Sequence, residues 1–278
     1  MKLTQHMLRI VVALVALIIM GLSSSPIAAQ SGADFIVFTS DRTGKVTSHI
    51  YKMNTDGSNV KPITTGNSFD TAPDIYVPSN LLVYQSNRAT RQIDVYDLFV
   101  IDLNTKALKP VQLTRNKGSN VDPSWSPDGS RIAFLSTRTG NLEIFVMDAN
   151  GKNVQQLTDS ADLWISSLSW SPDGDKIYFG AQKVGDAVTN PRNIYTLSVK
   201  DKTVQPLTNE TREGTGFTAP AVSPKGDMIA VTEFNAGKTS ISLLDLSGKP
   251  LQHLSVEGYG PVWTGNGDLL FLRSNLEK

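Results

Sequence analysis

Short apolar runs recur along the chain: Phe35-Ile-Val-Phe38, Leu81-Leu-Val-Tyr84, Ile132-Ala-Phe-Leu135, Ile177-Tyr-Phe-Gly180, Met228-Ile-Ala-Val231 and Leu269-Leu-Phe-Leu272. Aligned on starts at residues 35, 81, 131, 176, 228 and 269, they stand 46, 50, 45, 52 and 41 residues apart. A period of that size points to a repeat architecture. A second run follows at Ile50-Tyr-Lys-Met53, Leu98-Phe-Val-Ile101, Ile144-Phe-Val-Met147, Ile194-Tyr-Thr-Leu197 and Ile241-Ser-Leu-Leu244, each leading into a polar turn. A third element closes each unit at Ile63-Thr64, Leu113-Thr114, Leu157-Thr158, Leu207-Thr208 and Leu254-Ser255. Beyond residue 30 no long window carries a helical period, and turn residues bound every run, so the prediction is all-β.

Turn chemistry completes the unit. Ser126-Pro127-Asp128-Gly129 and Ser171-Pro172-Asp173-Gly174 precede two of the apolar runs, with Ser223-Pro224-Lys225-Gly226 and looser versions elsewhere. Proline presets one turn angle and glycine accepts positive φ. Two residues before the proline, or before Gly265 in the last copy, stand Tyr76, Trp125, Trp170, Val222 and Trp263, large groups suited to packing between neighbouring sheets. With the strand that carries them, each repeat holds four short antiparallel strands, and radial stacking of such units predicts a β-propeller of four-stranded blades.

These residues resemble the TolB-like propeller repeats related to WD40 repeats, whose pattern is a Pro-x-Trp-Ser-Pro-Asp-Gly turn, an apolar strand, a strand ending in Met-Asp and a Leu-Thr closure. The stretch from Asp122 to Asp148 follows that pattern nearly throughout, and the resemblance runs from residue 35 to about 274. It implies the fold and is weak for function. The α/β domain that precedes the propeller in TolB is absent from the repeats' start at Phe35, so no partner-binding residue carries over. The strand tally is about 21, between the 20 of five complete blades and the 24 of six. The expectation is a six-bladed design with an incomplete last blade, with five blades as the alternative.

Ahead of the repeats, Lys2, His6 and Arg9 precede the uncharged run Ile10 to Leu22, then Pro26 and Ala28-Ala29-Gln30. That order matches a secretory leader at residues 1–29, cut after Ala29 or Gln30. The run is too short to span a bilayer core. Residues 30–278 then form the propeller domain, expected in the periplasm or outside the cell with no stable membrane insertion.

Composition removes several chemistries. Basic and acidic side chains balance at 26 each with a sequence pI near 6.8, which argues against nucleic acid as a partner. The chain has no cysteine, so disulfides, thiolate metal sites and cysteine nucleophiles are excluded. His49 and His253 are the two histidines beyond the leader, and no Gly-x-Ser-x-Gly elbow exists to complete a serine triad. No cofactor is expected; calcium held by Asp and backbone oxygens in a channel would leave no sequence trace. Gly214-Thr-Gly216-Phe-Thr-Ala219 satisfies a dinucleotide pattern without its strand-to-helix setting.

Strand alternation puts the loops after strands one and three at one end of the ring and those after strands two and four at the other. The first set is tight and the second holds every long connection, where binding residues concentrate. Of nine arginines beyond the leader, Arg42, Arg88, Arg91, Arg115, Arg138, Arg192, Arg212 and Arg273 fall in or beside the long loops. The first seven are the candidate binding residues, because guanidinium groups suit carboxylate recognition and interface hot spots. The competing reading is that Arg42, Arg88 and Arg138 brace neighbouring loops. Trp125, Pro127, Asp128, Gly129, Trp170, Pro172, Asp173, Gly174 and Trp263 are read as structural repeat positions, not as sugar platforms or an acid–base pair. The functional expectation is an exported, non-enzymatic scaffold for a protein or peptide partner. The alternatives are the propeller domain of a hydrolase or lyase, or a small-ligand-binding propeller.

Overall fold

The computed structural model describes residues 28–29, 35–42, 47–92, 94–115, 117–184 and 191–273, and most of the expected leader lies outside them. Five antiparallel sheets have four strands each, added outward in chain order. Blade 1 is β1 (Ala28–Ala29), β2 (Phe35–Ser40), β3 (His49–Asn54) and β4 (Lys61–Pro62); blade 2 is β5 (Asp70–Tyr76), β6 (Leu81–Ser86), β7 (Asp97–Asp102) and β8 (Val111–Gln112). Blade 3 is β9 (Asn120–Trp125), β10 (Arg131–Ser136), β11 (Glu143–Asp148) and β12 (Gln155–Gln156); blade 4 is β13 (Leu163–Trp170), β14 (Lys176–Lys183), β15 (Asn193–Ser198) and β16 (Val204–Pro206). Blade 5 is β17 (Thr215–Val222), β18 (Ile229–Asn235), β19 (Lys238–Leu244) and β20 (Pro250–Glu257), and β21 (Tyr259–Trp263) with β22 (Leu269–Leu272) forms a two-stranded sixth sheet.

The propeller is therefore five full blades plus a sixth sheet of two strands. One strand more than the sequence tally comes from Ala28–Ala29, which pairs with Ile36 and Val37. That pair lies within the expected leader, where residue pattern carries no strand signal, and a cut after Ala29 or Gln30 would leave blade 1 with its other three strands.

Every seam around the ring has its own apolar cluster. Val37 and Ile50 meet Ile75 and Tyr84 between blades 1 and 2; Ile36, Phe38, Tyr51 and Met53 meet Leu270 and Leu272 between blade 1 and the sixth sheet. Trp263, Leu269 and Phe271 pack the opposite face of that sheet onto Ala230, Leu243 and Leu254 of blade 5. Two strands suffice to close the circle, because both of their faces are buried. Trp125, Trp170 and Trp263 are buried in these seams, and the indole N–H groups of Trp170 and Trp263 donate to the Ser124 and Ala221 carbonyls of the preceding blade at 3.1 and 2.9 Å.

The Leu-Thr closures sit one step past where the sequence reading put them. In blades 1 to 4 the fourth strand ends just before the Leu or Ile, and the threonine hydroxyl takes over the ladder. Thr64, Thr114, Thr158 and Thr208 Oγ1 accept the N–H of Ile50, Leu98, Ile144 and Ile194 at 2.9 to 3.0 Å. A side-chain oxygen satisfies a backbone donor at the end of a strand as a carbonyl would.

The innermost strands share one irregularity. Ala72, Asp122, Ser167, Ala219 and Gly260 have φ between 48° and 63° at matching points, each beside a register shift. These bulges surround a cavity of about 60 Å³ that, with the neighbouring prolines and Leu168, they line. Asp122 is the charged side chain among those lining residues.

Candidate functional site

The long connections gather at one end of the ring, and three of the candidate arginines there are built into the blades. In the repeated Ser-x-Arg step, Ser40, Ser86 and Ser136 Oγ accept both the backbone N–H and the Nε–H of Arg42, Arg88 and Arg138, at 3.0 to 3.3 Å. That bracket folds each guanidinium over a stacked aromatic pair of its own blade. Arg42 covers Phe38 and Tyr51, Arg88 covers Tyr84 and Phe99, and Arg138 covers Phe134 and Phe145, with centroid distances of 4.7 to 5.7 Å. Arg88 Nη2 then reaches Asp70 Oδ2 at 2.7 Å, and Arg138 Nη2 reaches Asn120 Oδ1 at 2.8 Å.

Asp70 is fully buried and also takes the Ser86 hydroxyl and, at 3.3 Å, His49 Nδ1. Burial of a carboxylate is tolerated only with such partners. Burial of Arg138 lowers its pKa, against the pull of Asp97.

The other four candidates are freer. Arg91 and Arg115 are exposed, and Arg115 donates to Gln112 Oε1 at 2.8 Å. Arg212, 72% exposed, grips Glu210 with both arms at 3.1 and 3.0 Å, and that pairing pulls the Glu210 carboxyl down to about 2. Arg192 stacks 4.8 Å from the Phe234 ring, while its main chain meets Thr215 and Phe217 of blade 5. Gly216 is obligatory there: its φ is +130° and a Cβ would collide with the Arg192 backbone. Thr215 in turn donates to the Arg212 carbonyl, so Arg192 and Arg212 share one ledge between blades 4 and 5. Arg273 is exposed at the end of β22.

The sequence reading passed over Trp164. It lies near the start of β13, on the strand face that Ser166 turns towards Thr218 of blade 5, and it is 56% exposed beside the half-exposed Val184. The other three tryptophans are buried seam residues. No repeat position marks Trp164, so the sequence offered no signal beyond an aromatic outside the pattern.

At the opposite end the Pro-Asp-Gly turns are closed locally. Gly129 and Gly174, at φ 68° and 72°, donate to the Ser126 and Ser171 carbonyls at 2.9 Å, behind Pro127 and Pro172. Ser126 and Ser171 hydroxyls donate to Asp128 and Asp173, which lowers both carboxyls, Asp128 to about 2. Those two acids hold turns.

One further cluster has catalytic residue types. Ser242 Oγ donates to Glu233 Oε2, and His253 Nδ1 lies 3.1 Å from both Ser242 Oγ and Glu233 Oε2. A nucleophile relay needs serine and carboxylate on opposite ring nitrogens. Here both crowd one nitrogen, and Ser242 is 3% exposed. Among the described residues no group of three or more His, Cys, Asp or Glu converges as a metal site, and no helix is long and apolar enough to cross a membrane.

Against known proteins, the TolB beta propeller domain family matches residues 91–277. The Tol-Pal system protein TolB of Wolbachia pipientis is 37% identical over 62 residues, covering 22% of this chain and 15% of that protein. The chain thus spans well under two thirds of the curated relatives it matches. A TolB candidate from Agrobacterium tumefaciens superposes with a TM-score of 0.72 at 18% identity, over 89% of this chain and 88% of that one. Puromycin hydrolase superposes at 0.58 and 16% identity, over 83% of this chain and 39% of the enzyme. The two structures share the fold, and the family match over most of the repeats carries the assignment: the chain belongs to the TolB β-propeller domain family.

Proposed function

We propose that this protein is an exported, non-enzymatic propeller that binds a protein or peptide partner on its long-loop face, centred on blades 4 and 5. The observation that carries the reading is Trp164, 56% exposed on β13, at the same end of blade 4 as Arg192 and on the strand face that Ser166 turns towards blade 5. Tryptophan and arginine dominate interface hot spots, and an anchor held on a strand loses little entropy on binding. The Wolbachia relative is named as a Tol-Pal system protein, which supports a protein as partner. A second reading, the propeller part of a hydrolase whose chemistry lies in other residues, draws support from the likeness to puromycin hydrolase.

A photo-crosslinking residue at position 184 in the native host tests the first reading. A discrete adduct that disappears with Trp164→Ala, and that position 152 on the opposite face does not form, is the expected outcome. Equal labelling from both positions would sink the assignment of the face. Peptidase or esterase activity that co-purifies with the protein from the host, and that the isolated chain lacks, would instead favour the second reading.

A further inference from the structure

On the tight-turn face, a cleft of about 280 Å³ opens at the seam between blades 3 and 4. The sequence reading gave this end of the ring no functional role. The cleft exists because the seam lacks a plug. At the neighbouring seam the Tyr76 ring lies so close to the turn glycine Gly129 that a Cβ there would collide with it, and at the seam between blades 4 and 5 Pro172 Cγ lies 3.3 Å from where a Cβ on Gly226 would stand. At Gly174 the nearest groups are Arg131 Nη2 and Pro127 Cδ, both 3.9 Å from where a Cβ would stand. Trp125 packs on Tyr76 at 5.9 Å in the seam between blades 2 and 3.

The lining is polar at the rim and apolar beneath. Buried Val146 and Leu157 form the floor, while Arg131, Lys200, Asp148 and Asp175 stand around them. Arg131 is held 5.1 Å above the Trp170 ring, which fixes the guanidinium while leaving its N–H edge available. The four ion pairs among the described residues involve none of these four charges. Asp148 Oδ2 accepts Asn153 Nδ2 at 2.6 Å. Two cations and two carboxylates, mutually unpaired, frame a neutral cleft with an apolar floor.

We infer that this cleft is a binding site for a small aliphatic zwitterion, a free amino acid or dipeptide. Its carboxylate would meet Arg131 and Lys200, its ammonium Asp148 and Asp175, and its side chain the Val146–Leu157 floor. A singly charged molecule leaves one pair of rim charges unanswered, and a volume just below that of drug-sized pockets suits a ligand of this size. The site is independent of the long-loop face.

An NMR titration of the full chain with L-leucine and with Gly-Leu tests the inference, against leucinamide, which lacks the carboxylate, and 4-methylpentanoate, which lacks the ammonium. The expected result is saturable shifts at Asp148, Gly174 and Lys200 for at least one zwitterion, with a Kd of about 1 mM or tighter. Binding should weaken about tenfold for either analogue and for Arg131→Gln or Asp175→Asn, consistent with loss of one charged hydrogen bond. Asp175→Asn leaves the Trp170 stack intact and so guards against misfolding of the first variant. Shifts that stay linear, analogues that bind equally well, or affinity untouched by both substitutions would overturn the proposal.

Discussion

Arginine shows how one residue type serves two ends in this molecule. Arg88 and Arg91 stand three positions apart on the same loop, yet one is clamped by Ser86, laid over Tyr84 and Phe99 and paired with buried Asp70, while the other is exposed. Removing one partner of a buried pair leaves an uncompensated charge. Arg88→Ala should therefore cost about 3 kcal/mol, a thermal midpoint lower by roughly 6 to 12 °C in a domain this size. Arg91→Ala should change stability by less than about 0.5 kcal/mol. Thermal unfolding of the two variants checks this, and similar losses from both would contradict the division drawn between them. The Ser-x-Arg spacing was legible as a repeat, and so was the possibility that it braces loops. Which arginines reach a buried acid was not legible, because Asp70 approaches Arg88 only through strand pairing.

At the scale of the element, the inner strands carry a pH dependence. Asp74 accepts the Trp125 N–H across a seam at 2.6 Å, and Asp122 sits in the narrow central cavity; desolvation pushes both carboxyls up to about 6. A group whose folded pKa is raised binds its proton more tightly in the folded state. The stability it contributes is full below the ordinary value near 4 and is lost as pH rises through about 6. The turn acid Asp128 and Glu210, both drawn down to about 2, act in the opposite sense and lose their contribution as pH falls through that value. The thermal midpoint should thus peak near about pH 4 and decline from there to about pH 6, with Asp122→Asn showing a shallower decline. A midpoint that rises steadily from pH 5 to 7 in both proteins would refute the argument. None of this was visible beforehand: the Pro that follows Asp122 reads as part of a strand, and the left-handed bulge before it recurs on five of the six inner strands that line the narrow axis.

For the whole molecule the decisive feature is closure by two strands. Leu270 and Leu272 face blade 1 and Leu269 and Phe271 face blade 5, all at most 6% exposed, so the sixth sheet is a wedge with apolar groups on both sides. Leu270→Ala should cost about 2 to 5 kcal/mol as a buried truncation. Leu270→Asp should break the seam outright and turn a compact monomer into an associating species with open strand edges. Analytical ultracentrifugation of the charged variant measures this, and a monomer as compact as the parent would show that the seam does not hold the ring.

The sequence by itself determined the repeat, the all-β blades, the turn types and the tryptophans that fill the seams. Those features depend on neighbours a few residues apart: alternation along a strand, a proline and glycine at fixed offsets, a period of about 45 residues. Tertiary structure alone decided how the ring closes, that Ala28–Ala29 pairs into blade 1, which arginine reaches a buried acid, that Trp164 is left in solvent and that one seam stays open. Each of these turns on a contact between residues brought together by the circular arrangement of the blades, and a linear pattern carries no record of the blade that will stand beside it.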